Sequence, residues 1–442
     1  MSTETEHIFE RLRSGTVPEK GLDKFAVGID KPIAEIRRQL DLAKSGEGCF
    51  KFLRGGYGCG KTFMSQYTLI EAMNANFAVS FVVVSPNDTQ FHKFDDVYHK
   101  IVSNLRTSMA ESGTLEFMID RWISRIEDRL AEEIGDDVDD FDERVKLRFE
   151  SELDELTKES TGNEFIAVLK AYFDAKQAGE YSTASGLVAW LSGSKNIASA
   201  IKSKAGIKGE ISSASAMTFL KGIVSIVKRA GYSGLVVVID ELETILRTRT
   251  DVRQKSLNGL RQIIDAAKDF RGMVWVFTGT PEFFDSRKGV AGLEPLHDRI
   301  KFATSGGFTS PKQPQLELKP FDKDRLRQVA LRLREIFPSK DKERVYRLVD
   351  DFFIDSLTAM VTSGLRGDVG VIPRQFLREL VTVLDLVEEF DGSDGGDAYI
   401  PKDRYNFPAT ILSDDDERLR SGVQETVDSD EAAGYQVEQL EW

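Results

Sequence analysis

The sequence predicts an α/β fold. It reads as a three-layer sandwich around a mostly parallel sheet, with a long helical insertion and a small all-α domain near the C-terminus. Three observations predict it. First, "LVVVID" (235–240) and "MVWVFTG" (273–279) are near-continuous apolar runs, as strands buried on both faces of a parallel sheet read. Second, "RQKSLNGLRQIIDAAKDF" between them has helical period and supplies the crossover that parallel strands need. Third, the pattern is helical throughout from Asp322 to Phe390.

Taken in order, residues 1–27 read as a short helix and a loop marked by Gly15, Pro18 and Gly21. "DKPIAEIRRQLDLAKSGE" is an amphipathic helix with Ile33, Ile36, Leu40 and Ala43 on one face, Asp30 as its expected N-cap and Pro32 in the first turn. "CFKFL" (49–53) is a short buried strand, "TFMSQYTLIEAMNA" a helix and "FAVSFVVVS" (77–85) a second strand rich in Val and Phe. Between Val84 and Leu235 lie 150 residues, far more than a crossover of about a dozen requires. They hold two helical stretches, "DDFDERVKLRFESELDELTKES" and "NEFIAVLKAYFDAK", then a Ser/Ala/Gly/Lys-rich segment (182–215). This is expected to be a helical subdomain. "QLELKPF" (315–321) is a fifth strand candidate.

The expected organisation is a helical lead-in (1–48), a core in two parts (49–84 and 235–321) split by the insertion (85–234), the α-domain (322–390) and a tail (391–442). From Ser413 the last 30 residues carry ten acids against two arginines, the composition of a solvated, disordered tail.

The stretch "FLRGGYGCGKTF" (52–63) carries the chemistry. Gly55-x-x-x-x-Gly60-Lys61-Thr62 matches the phosphate-loop pattern G-x-x-x-x-G-K-[ST] without a mismatch, and it sits between an expected strand and an expected helix as that pattern requires. A phosphate chain needs many donors, and backbone N–H groups reach it only where no Cβ intervenes. The following helix points its N-terminus at the same anion. The expected nucleotide contacts are Gly55, Gly56, Tyr57, Gly58, Cys59 and Gly60, with Lys61, Thr62 and Phe63 opening the helix. Lys61 is placed for the β- and γ-phosphates, and Thr62 for Mg²⁺. A dinucleotide-binding reading fails because Gly56-x-Gly58 needs a third glycine where Lys61 stands.

"LVVVIDE" supplies the second half. Asp240 ends an apolar strand and is expected to hold Mg²⁺ through water; Glu241 beside it is placed to polarise the attacking water. In "MVWVFTGTPEFF", Thr278 and Thr280 are candidates to orient that water or read the γ-phosphate, or they merely finish the strand.

Composition restricts the remaining classes. The net charge of −14 excludes nucleic-acid wrapping by the overall field, so DNA contact would need a local patch such as the acid-free window of Lys195, Lys202, Lys204 and Lys208; a solvated loop is the other reading of that window. Two cysteines, Cys49 and Cys59, make no disulfide framework and lead us to expect a reducing, cytoplasmic setting. Four scattered histidines argue against a protein zinc site, and no run of 18 apolar residues suggests a membrane span.

The order phosphate loop, "VVVIDE", "VFTGTPE", "LHDRI" and "PRQFLREL" resembles a P-loop ATPase of the ASCE/AAA+ class, in the branch near origin-recognition and transposition-regulator ATPases. More closely, "VPEKGLDKFAVG" and "KFLRGGYGCGKTF" resemble the ATP-binding protein of BREX phage-defence systems, over roughly residues 7–390. The resemblance implies that Thr280 is sensor 1 with Thr278 as the alternative. It implies that Arg299 in "LHDRI" is an arginine finger acting on a neighbour's ATP, and that Arg374 is sensor 2 on a helical lid. An ordinary surface ion pair for Arg299 and a solvated helix start for Arg374 are the alternatives. Two departures stand out: the insertion before Asp240 is unusually long, and 52 residues after Phe390 leave no room for a winged-helix DNA reader.

The function expected is a cytoplasmic, Mg²⁺-dependent ATPase that self-associates with ATP and remodels other defence-system proteins. A nucleotide-dependent scaffold with little turnover and a DNA-associated motor are the alternatives. Glu241 favours the enzyme, and no second phosphate loop or strand-separating motif favours the motor.

Overall fold

The computed structural model describes residues 3–85, 90–136, 138–158, 162–363, 372–393 and 396–405. Most of the expected acidic tail therefore lies outside the described residues. Five strands form one sheet: β1 (Cys49–Arg54), β2 (Ala78–Val83), β3 (Leu235–Asp240), β4 (Met273–Gly279) and β5 (Gln315–Glu317). Their spatial order is β2-β3-β4-β1-β5, and every pairing is parallel. The chain thus leaves β1, crosses to the far edge at β2 and returns inward through β3 and β4. The apolar runs at 235–240 and 273–279 are strands over those residues because both faces are covered: every residue of each is buried.

Strand alternation sorts the core into two layers. Val236, Val238, Val274 and Val276 face helices Asp30–Lys44 and Lys61–Asn74. Leu235, Val237, Ile239, Trp275 and Phe277 face the opposite layer, which includes helices Phe94–Ser103, Ser213–Arg229 and Thr250–Ala266. The opposite layer continues without a break into the insertion, through Trp122, Phe149, Leu169 and Trp190. The long segment after β2 therefore shares the sheet's core rather than closing off one of its own.

Two local expectations need correction. Asp30 is the first helical residue and Ile29 the N-cap; Asp30 stabilises the helix as a first-turn acid instead. The solvated-loop reading of the lysine window holds only in part, since helix Ser199–Lys204 carries Lys202 and Lys204, and helix Tyr181–Leu191 precedes it. Ala184, Leu187, Val188 and Leu191 repeat at helical spacing and are buried, which outweighs the polar composition around them.

A third cluster joins the two ends of the described chain. Ile8, Phe9 and Leu12 of the helix Thr3–Arg13 pack among Leu333, Phe337, Phe376, Leu380 and Leu384. Those partners lie on the C-terminal helices Lys323–Ile336 and Ile372–Glu389 and the turn after the first. Phe9 meets Phe337 edge to face at 5.1 Å. The N-terminal helix is therefore part of the C-terminal helical unit.

Lys51 places a charge inside the sheet. Lys51 of β1 is 1% exposed, and its Nζ sits 2.7 Å from Glu35 Oε1 and donates to the carbonyls of Gln313 (2.8 Å) and Pro311 (3.2 Å). Burial pushes the Lys51 ammonium down. Burial also opposes ionisation of Glu35, but hydrogen bonds from Arg38, Lys51 and Gln39 outweigh it and hold that carboxyl at about 2. The pair ties helix Asp30–Lys44 and the approach to β5 onto β1. Lys51→Ala leaves Glu35 its bonds from Arg38 and Gln39 but opens a cavity beside it. Glu35→Ala leaves the buried ammonium with carbonyl partners alone. Glu35→Ala should therefore be the costlier, by up to about 3–5 kcal/mol, with the double variant Lys51→Met/Glu35→Gln much nearer the parent. Because Glu35 is held below its unfolded value of about 4.3, its contribution is present above that pH and is lost as pH falls toward 2. Urea melts at neutral and acid pH check both statements.

Candidate nucleotide site

The parallel register brings the C-terminal ends of β1, β3 and β4 to one edge, and the site is built there. β1 runs into the glycine loop, where Gly58 and Gly60 take left-handed φ values of 70° and 82°. A Cβ at Gly55 would lie 3.0 Å from the Cys59 Cβ and 3.2 Å from the Leu318 carbonyl oxygen. The glycines are therefore required by backbone shape and by close approach. Gly60 caps helix Lys61–Asn74, whose first turn has no side-chain cap and no acid, so its N–H groups and positive dipole end face the loop.

Lys61 folds back over that loop. Its Nζ donates to the carbonyls of Gly55 (3.0 Å) and Gly56 (3.2 Å), lies 3.4 Å from Glu243 Oε1 and sits 5.1 Å from the centre of the Tyr57 ring. The Thr62 hydroxyl donates to Asp240 Oδ2 at 3.2 Å. Asp240 is almost fully buried, and its Oδ1 accepts from the Thr278 hydroxyl and from the Glu241 N–H at 3.1 Å. The Glu241 N–H also reaches Thr278 Oγ1, at 3.0 Å. These bonds hold Glu241 at φ +63°, a left-handed conformation that costs a non-glycine residue about 1–3 kcal/mol.

Glu241 itself is open to the cleft, yet protein surrounds it on several sides. That enclosure, then the neighbouring Asp240 and Glu243, pushes its carboxyl above the ordinary range, against the pull of Lys61 and Arg247. Burial likewise pushes up the Cys59 thiol and the Tyr57 phenol.

The cleft outside this edge has a volume of about 2310 Å³ and is walled by the glycine loop, the N-terminal segment and the C-terminal helices. Arg374 lines it, from the first turns of helix Ile372–Glu389. Thr278 and Thr280 separate clearly. Thr278 bonds the Asp240 carboxylate, whereas Thr280 accepts from the Phe283 N–H at 3.4 Å and caps helix Pro281–Asp285. Arg299 lies off the cleft lining, half-exposed, and bonds Asp265 and the Pro295 carbonyl. In the lysine window, Lys195 pairs with Asp95 and Asp96 and Lys204 with Glu180, so two of the four charges are compensated.

Sequence reasoning missed three contributors. The segment Phe25–Pro32 lines the cleft, as do Arg325 and Glu243. Glu243 stood in plain view in the Asp240-Glu241-Leu242-Glu243 run; Arg325 and the N-terminal segment carried no signal of their own.

The family model described as BREX system ATP-binding protein BrxC/D matches residues 1–402. The chain belongs to that family, whose members are ATP-binding components of a phage-defence system. No curated protein matches the chain. Both cysteines are free and buried, and among the described residues no helix is long and apolar enough to cross a membrane.

The geometry gives Thr280 a capping role. Thr280→Ala should lower stability by about 0.5–2 kcal/mol, the usual effect of losing an N-cap, while leaving ATP affinity unchanged. Thr278→Val removes a donor to the buried Asp240 carboxylate and should instead weaken nucleotide binding. Denaturant melts and calorimetric titration with ATP separate the two.

Proposed function

We propose that the protein is a Mg²⁺-dependent ATPase of the ASCE/AAA+ type that acts as a regulatory or remodelling component of its defence system. The observation that carries this reading is the hydrogen bond between Thr62, at the start of the phosphate-loop helix, and Asp240, at the end of β3. It joins the two halves of a Mg²⁺–ATP site across a strand, β4, that lies between them.

The residues fit both groups. Two hard oxygen donors lie together and leave the remaining positions to phosphate and water, which suits Mg²⁺. The glycine cradle fits a phosphate chain, and the wall of Phe25, Val27, Phe63 and Phe321 offers an apolar surface for a base. Thr62 and Asp240 would hold Mg²⁺, which when bound would supply positive charge against the phosphates. Lys61 would bind the phosphate oxygens. Glu241, ionised, would accept the proton of the attacking water, with Thr278 fixing its backbone. Arg374 is placed to follow the nucleotide from the helical unit, which we read as a lid. Arg299, away from its own cleft, suits a role at a neighbouring subunit's site. A cytoplasmic location accords with two unpaired cysteines.

Lys61→Ala should abolish nucleotide binding. Glu241→Gln should keep ATP affinity and lose hydrolysis by about 10²–10⁴-fold; parent-rate turnover in that variant would remove the base assignment. Since Glu241 acts as the carboxylate and its pKa is raised, turnover should fall as pH drops through a value above the ordinary carboxylate figure of about 4.3. The pH profile of kcat/KM, which reports the free protein, checks the position of that limb.

Arg299 makes a further test. Activity per subunit should rise with protein concentration, and Arg299→Ala should remove the rise with ATP affinity intact; fingers of this kind contribute up to about 10³–10⁵ in rate. Mixed Arg299→Ala and Lys61→Ala subunits should recover activity. A flat concentration profile together with a dead mixture would return Arg299 to an ordinary pair with Asp265.

A further inference from the structure

Lys61 has a partner that the hydrolytic reading leaves without a task. An ammonium has three donors. Two of them meet the Gly55 and Gly56 carbonyls, and the ammonium lies 3.4 Å from Glu243. Glu243 is 7% exposed, and its other oxygen, Oε2, is buried with no hydrogen-bond partner among the described residues. An unsatisfied buried carboxylate is costly, so its place beside Lys61 calls for a reason. The left-handed bend at Glu241 leads into the 3₁₀ segment Leu242–Arg247, and that segment sets Glu243 against the phosphate loop.

We propose that Glu243 is a competing counter-ion for Lys61 that speeds the release of bound nucleotide. This rests on the reading of the glycine loop as an ATP site. A β-phosphate that engages Lys61 takes donors now directed at protein groups, and the Glu243 contact is the longest of the three. Once the phosphate is in place, Glu243 is a buried negative charge facing a second negative charge across one ammonium. That repulsion weakens binding. As the phosphate departs, Glu243 takes the ammonium back. Glu243 touches no reacting atom in this scheme; it is a positioning residue acting through Lys61.

A purely structural carboxylate would behave in the opposite way. Its loss would loosen the loop, and nucleotide would bind less tightly or no differently. The test uses the full chain and a fluorescent N-methylanthraniloyl ADP with Mg²⁺, displaced by excess ADP in a stopped-flow instrument. Glu243→Gln should slow release by about tenfold and lower the dissociation constant to match, the scale of one partly screened charge. Glu243→Asp keeps the charge but draws it back from Lys61, so its release rate should fall between parent and Glu243→Gln. If Glu243→Gln does not fold, the aspartate variant alone carries the test. Release from the variants at the parent rate or faster overturns the proposal. The parent and Lys61→Ala serve as references. Binding by the parent that Lys61→Ala abolishes keeps the ATP-site reading even if Glu243 fails, whereas a parent that binds no ADP analogue overturns both.

Discussion

Asp240 is the point on which the site depends. A carboxylate this deeply buried is tolerable only if its oxygens are hydrogen-bonded, and here the donors come from three different parts of the chain. Thr62 arrives from the phosphate-loop helix, Thr278 from β4, and the Glu241 N–H from the bend after β3. The parallel register makes this possible. Ile239 pairs with Phe277, so the next residues, Asp240 and Thr278, stand side by side at the sheet edge. β1 pairs with β4 on the other side, and its glycine loop therefore opens at the same edge. A slip of register by one residue would turn Asp240 to the opposite face and separate these groups.

Much of this was legible in the sequence because the chemistry allows few substitutes. Phosphates demand glycines at fixed spacing, and strands covered on both faces demand apolar runs, so β3 and β4 fall where their residues predict. What was not legible depends on neighbours in space. That Thr278 rather than Thr280 meets Asp240 is decided by the register of β4 against β3, which no local pattern encodes. The stripe of Ile8, Phe9 and Leu12 announces a buried helix face but not that its partner lies more than 300 residues away in the C-terminal helices. Lys51 reads as an interruption in an apolar strand until Glu35 is seen against it. In the Ser/Ala-rich segment, small polar residues masked a helical period that packing makes decisive.

The cleft is shared between separately packed parts, which would give a bound nucleotide a physical route to changing shape. The sheet edge supplies Lys61, Thr62, Asp240 and Glu241; the helical unit, clasped by the N-terminal helix, supplies Arg325 and Arg374. The N-terminal segment joins the two and lines the cleft on its way. A nucleotide that touches both walls would tighten one against the other, by as much as its contacts differ between the two arrangements. Regulation by partners would then act on the same coordinate.

The central claim is that β1 and β3 converge on one Mg²⁺–ATP site through Thr62 and Asp240. Its most direct test replaces Mg²⁺ with Mn²⁺ and follows the metal by electron paramagnetic resonance in the full chain, with ATP titrated in. Protein-bound Mn²⁺ should appear only with ATP and should disappear in Thr62→Ala and in Asp240→Asn. Mn²⁺–ATP that binds the parent and both variants alike would contradict the account.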